Sequence, residues 1–197
     1  MIGYLALGVA LGIASSLPPG PCGLAIMSTV SHGGTARRAL ATAAGGAVGD
    51  LVYSTLGLVG IGSLIARAAV ALQATSGAVM IAFGGAKLLE RPPARPPADH
   101  PSQGFALGLG LVLANPAALV TWVVVVGAHL AGAPIAARAC TVAGITLGSF
   151  VWFATVGRLA RAGRPDRLLR LSAALGAVLV GVGVISLARA AEALFSS

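Results

Sequence analysis

Hydrophobic positions in this chain run continuously over long stretches instead of alternating with polar ones. Residues 1–36, 39–49, 51–66, 68–86, 104–137, 139–157 and 171–188 carry no charge at all. Two of these runs exceed the roughly 20 apolar residues that a helix needs to cross a bilayer core, and three more approach that length. Basic and proline-rich clusters fall between them. The pattern predicts six spans, at about 2–30, 39–66, 68–89, 104–130, 136–157 and 171–190.

Composition agrees with that reading. Hydrophobic residues make up 57% of the 197 residues and charged ones only 9%, against about 25% charged in a soluble domain, whose surface must face water. Mean hydropathy is +0.93. The expected class is an all-α integral membrane protein. The net charge of +8 does not signal nucleic acid, because the basic residues lie between apolar runs and form no folded patch. Arg37, Arg38, Lys87, Arg91, Arg95, Arg158, Arg161, Arg164, Arg167 and Arg170 fall in or beside the first, third and fifth loops; Arg67, Arg138 and Arg189 fall on the other side. The positive-inside rule then puts the first group in the cytoplasm and both termini outside. The start of the chain has no basic segment before its apolar run, so a cleaved leader is not expected.

Two interruptions break the apolar pattern. Pro18, Pro19 and Pro21 bracket Gly20 within the first run, and Asn115-Pro116 lies within the fourth. Proline removes an amide donor and clashes with the preceding turn, so each site should end one helix and start another. Asn is a good N-cap, and proline suits the first helical position after it.

The second half of the chain repeats the first. "AGGAVGDLVY" (Ala44–Tyr53) aligns with "AGITLGSFVW" (Ala143–Trp152), and "GAVMIAFG" (Gly77–Gly84) with "GAVLVGVG" (Gly176–Gly183), both at an offset of 99. The breaks align at an offset of 95. Three spans per repeat force the second to enter the membrane from the opposite side. The expected architecture is therefore two inverted three-helix repeats, residues 1–90 and 104–197, with broken helices 1 and 4. A proline-rich cytoplasmic linker, residues 91–103, joins them. In such folds paired broken helices mark the binding site. Half-helix N-termini converging there would favour an anion such as a carboxylate.

Asp50 is the one acidic residue well inside an expected span, and charge at that depth costs at least about 2.5–3.5 kcal/mol. Proton carriage or pairing with a substrate cation would account for it; a hydrogen-bonded structural role is the alternative. Its repeat partner is Ser149. Tyr53 and Trp152 lie one turn beyond and could stack on a substrate ammonium, although interior packing serves as well. Gly45, Gly49, Gly144 and Gly148 make small-xxx-small steps suited to close helix packing. Cys22 and Cys140 match no disulfide framework and no metal motif. No nucleophile elbow, His/Glu metal motif or phosphate loop occurs, so neither an enzyme nor a cofactor is expected.

At "PPGP" (Pro18–Pro21), "GxxxGDLVY" (Gly45–Tyr53), "GAVMIAFGGAKLL" (Gly77–Leu89) and "NPAA" (Asn115–Ala118) the chain resembles the LysE/RhtB family of amino-acid exporters. The resemblance implies export of amino acids or related solutes across the cell membrane, by exchange with protons. By position, Pro19, Gly20, Pro21, Asp50, Asn115 and Pro116 would be central, and Cys22 stands where family members commonly have a polar residue. Two other classes compete: a membrane thiol-disulfide electron carrier of the cytochrome c biogenesis type, suggested by "PGPC", and a metal-ion exporter, for which the spans supply few ligands. Pairing as a homodimer stays open.

Overall fold

A computed structural model describes residues 1–17, 20–59, 68–89, 100–130, 132–163 and 165–195. These form eight helices: α1 (Ile2–Ser16), α2 (Pro21–Ser31), α3 (Ala36–Leu58), α4 (Ala69–Leu89), α5 (Pro101–Leu113), α6 (Pro116–His129), α7 (Ile135–Ala162) and α8 (Pro165–Phe195). No strand occurs among the described residues. Pro18, Pro19, the end of the second expected span (60–67) and most of the proline-rich linker (90–99) lie outside them.

Both expected breaks are present. α2 starts with Pro21 at its first turn and Gly20 as N-cap, and α6 starts with Pro116 and Asn115 in the same roles. α1 and α2 meet at 69°, and α5 and α6 at 70°. Among the described residues, three helical stretches are each long and apolar enough to cross a membrane: Val70–Leu89, Ile135–Ala162 and Ala173–Ala193. Counting each bent pair as one span makes five. α3 is not among them; its glycines, threonines and Asp50 dilute its apolar content, although it is 23 residues long.

Helix pairing follows the small residues. α1 lies along α7 and α5 along α3, while α4 and α8 pack on each other. A Cβ on Gly8 would run into the backbone of Thr141, Gly144 and Ile145, and one on Gly108 into the backbone of Thr42 and Gly46. Thr141 and Ile145 are the repeat partners of Thr42 and Gly46, so these two interfaces correspond at an offset of 100 for α1 and α5. The breaks correspond at 95, so the first repeat spends five more residues than the second between this contact and its proline. In the α4–α8 pair, a Cβ on Gly77 would stand 2.7 Å from the Gly183 carbonyl oxygen, and one on Gly183 would stand 2.7 Å from that of Gly77. Gly84 and Gly176 approach each other's carbonyls in the same reciprocal way. Without a strong hydrophobic drive between helices in lipid, such close backbone approach supplies the dispersion contact that holds them.

Several polar groups turn inward and many large apolar ones outward, around a core that also holds Trp122, Leu24, Ile26 and Ile145. Thr42, Ser54, Thr141 and Ser149 are fully buried, whereas Leu51, Leu147, Val151, Val184 and Ile185 are exposed. Three of these hydroxyls are satisfied along their own helices, and Ser149 donates to the Gly12 carbonyl of α1 at 3.5 Å. Thr42 donates to the Arg38 carbonyl at 3.0 Å, and its repeat partner Thr141 donates to that of Ala137 at 3.1 Å. Apolar residues on the outer surface and bonded hydroxyls within suit a lipid surrounding, where an unpaired backbone or side-chain polar group costs several kcal/mol.

Candidate functional site

Each break creates a helix start whose first amides have no partner within the helix. At the second break the Asn115 side chain accepts from the Ala117 amide at 3.2 Å and from the Ser76 hydroxyl at 3.3 Å. At the first break Gly20 has no side chain with which to cap α2. The two junctions therefore differ: one is self-capped and tied to α4, while the other leaves its first-turn amides for whatever occupies the space in front of them.

That space is a cavity of about 260 Å³ on which both breaks border. Gly20, Pro21, Cys22, Asp50 and Asn115 all line it, joined by Ser15, Ser16, Trp122 and Phe153. Residues from α4 and α8 (Met80, Val178, Leu179, Val182) complete its apolar side. Residues separated by nearly a hundred positions in sequence thus meet around one volume.

Asp50 is only 6% exposed, and it is not bare. The Trp122 indole Nε1–H donates to its Oδ1 at 2.7 Å, while the Ser149 hydroxyl on the facing helix α7 donates to the Gly12 carbonyl at 3.5 Å. Ser16 in turn donates to Ser149 at 3.4 Å. Asp50 and Ser149, aligned as repeat partners, face each other across the α3–α7 contact. The Ser54 hydroxyl binds the Asp50 carbonyl at 2.7 Å, which satisfies that hydroxyl within its own helix and leaves the carboxyl to the cavity. The short indole bond holds one carboxyl oxygen in place at the cavity wall.

Not every expected site residue faces this cavity. Tyr53 is buried and donates through its hydroxyl to the Leu113 carbonyl at 2.6 Å, tying α3 to the last turn of α5 before the break. Trp152 packs partly buried against the hydrophobic core. Neither is among the residues that line the cavity. Pro19 falls outside the described residues, and Pro116 contributes the first position of α6. Cys22 is buried, with its Sγ against Gly46. Both cysteines are free thiols. Cys140 sits 13 positions before Phe153 on α7, about 20 Å along the axis from the level of Cys22.

Trp122 is the functional residue that sequence reasoning missed. A signal existed: it stands seven positions after Asn115, two helical turns on and thus on the same face of α6. Its indole N–H is also, with the Thr121 hydroxyl beside it, one of the few donors in an otherwise apolar run. Ser15 and Ser16, just before the prolines, were equally visible.

Among the described residues, no group of three or more His, Cys, Asp or Glu side chains could hold a metal ion. A family model described as "LysE type translocator" matches residues 13–190. No curated protein and no solved structure matches the chain.

Proposed function

We propose, on the premise that the chain belongs to the LysE type translocator family, that it exports amino acids or related carboxylate-bearing solutes from the cytoplasm in exchange for protons. Membership makes it a multi-pass membrane protein that moves small solutes. The finer reading is carried by one observation: the uncapped start of α2, the Asn115 cap and Asp50 line the same cavity. The amides of α2 and its positive dipole end would receive the carboxylate of the solute. Asp50 would take and release the proton, positioned by Trp122. Charge in that site changes by one when Asp50 is protonated, which offers a way to alternate between holding substrate and holding a proton.

Two inverted three-span repeats, with the basic loops in the cytoplasm and both termini outside, fit this reading. The nearly equal bends of 69° and 70° and the reciprocal approach of Gly77 to Gly183 and of Gly84 to Gly176 support the inverted repeat. The arginine count on the two sides supports the orientation. The separation of Cys22 from Cys140 along α7 does not favour a thiol relay, because a disulfide needs Cα atoms within about 7 Å.

The test is efflux from cells loaded with amino acids or their toxic analogues. Asp50→Asn and Asn115→Ala are expected to abolish efflux while leaving the protein in the membrane, and Cys22→Ser to retain it. Normal efflux by both of the first two variants would remove the proposed site. Loss of all activity in Cys22→Ser would favour thiol chemistry instead.

A further inference from the structure

Phe153 borders two cavities at once. On one side lies the central cavity with Asp50; on the other lies a second, of about 170 Å³, lined by Arg37, Arg158 and Arg161. The three guanidinium groups come from the first turn of α3 and the last turns of α7, and all three side chains are exposed. Among the described residues lining this second cavity none is acidic, so its field is positive and attracts anions.

A single stripe of α7 joins the two spaces. Ser149, Phe153, Gly157 and Arg161 follow at four-residue spacing, about 6 Å per step, and so share one face. Small residues of α3 stand opposite them. A Cβ on Gly46 would lie 3.1 Å from the Phe153 ring and 2.6 Å from Cys22 Sγ, whereas one on Gly157 would meet only side-chain carbons of Ile26 and Ala39, at 3.3 and 3.9 Å. The Phe153 ring thus stands between the arginines and Asp50, with Gly46 against it and Ile26 and Ala39 beside Gly157. Gly46 is where a side chain would pin that ring.

We propose that the arginine-lined cavity is an antechamber that collects carboxylate-bearing solutes, and that the Phe153 side chain is the gate between it and the central cavity. The inference rests on the transport reading above and adds the route of entry. Arginine suits the role because its planar fork binds carboxylates bidentately and stays charged at any physiological pH.

The test needs no knowledge of the natural substrate. With Cys140→Ser, Cys22 is the sole thiol and reports on the central cavity. Vesicles are treated, from the face that carries the arginines, with membrane-impermeant methanethiosulfonate reagents bearing either a sulfonate or a trimethylammonium group. Phe153→Ala is expected to speed labelling of Cys22 by the sulfonate reagent on the order of tenfold or more, with the cationic reagent slower. Adding Arg158→Gln and Arg161→Gln should erase that charge preference, and Arg158→Lys with Arg161→Lys should keep it. A second reporter, Ala118→Cys in a Cys22→Ser, Cys140→Ser chain, gives the same comparison from a half-buried wall of the central cavity if Cys22 is too tightly packed to react. Unchanged labelling in Phe153→Ala at both reporters would overturn the gate. A sulfonate preference that survives the glutamine substitutions would overturn the antechamber and leave the arginines to lipid phosphate or topology. In an Asp50→Asn background efflux should stop while Phe153→Ala still speeds sulfonate labelling, so the gate and the export reading fail separately.

Discussion

Trp122→Phe tests how the carboxyl at the centre of the protein is held. Trp122 is 2% exposed and its indole donates to Asp50 Oδ1 at 2.7 Å. The substitution removes that bond and three heavy atoms of buried ring. A hydrogen bond contributes about 0.5–1.5 kcal/mol net, and about 1.5–3 kcal/mol when its partner is charged. The missing ring atoms cost roughly a further 1–2 kcal/mol in lost burial and residual cavity. The two contributions separate in a double-mutant cycle with Asp50→Ala, because the cavity cost appears in both backgrounds and the bond only in one. The expected coupling is roughly 1–3 kcal/mol, read as thermal unfolding of purified protein in detergent. At this chain length each kcal/mol corresponds to about 2–4 °C, so the shift is measurable. Trp122→Gln, which keeps a donor, should recover part of the coupling. Equal destabilisation by Trp122→Phe in both backgrounds would mean that the indole packs beside Asp50 without holding it.

The packing account makes a paired prediction. Gly8→Leu and Gly108→Leu should prevent stable assembly, because even a Cβ meets backbone there, whereas Gly110→Ala, with nothing within 4 Å, should be neutral or stabilising by up to about 1 kcal/mol; monodispersity on size exclusion reads the difference. Tyr53→Phe should cost about 1 kcal/mol through loss of the bond to Leu113. It should slow efflux without abolishing it, since Tyr53 fixes the helix before the break and does not line the cavity; measured efflux that falls to zero would assign it a direct role.

Much of this was legible in the sequence because lipid makes simple demands. Continuous apolar runs, prolines within two of them and a single acidic residue at depth are visible without alignment. The offset of 99 linked Asp50 to Ser149 and Gly77 to Gly176 before any geometry was known. Which faces meet was not legible. Tyr53 and Asp50 are three residues apart, close enough in helical phase to suggest one face, yet packing turns the phenol toward α5 and the carboxylate toward Trp122. The small residues that admit the Phe153 ring gave no sign either, since Gly46 in "AGGAVGD" reads as one more packing glycine. The cap at Asn115 was foreseen; that it would occupy its own amide and leave the first break as the more open one depends on the side-chain difference between Asn115 and Gly20 acting in three dimensions.

The central claim is that Asp50 couples solute export to proton movement at the paired breaks. Its most direct test is proton flux in proteoliposomes containing the purified protein, recorded with a pH-sensitive dye while radiolabelled amino acids are presented one at a time. For a transported amino acid the native chain is expected to move protons opposite to the solute. Asp50→Asn should bind and exchange solute for solute but show no solute-driven proton signal. Solute transport with no proton movement in the native chain, or an unchanged proton signal in Asp50→Asn, would contradict the account.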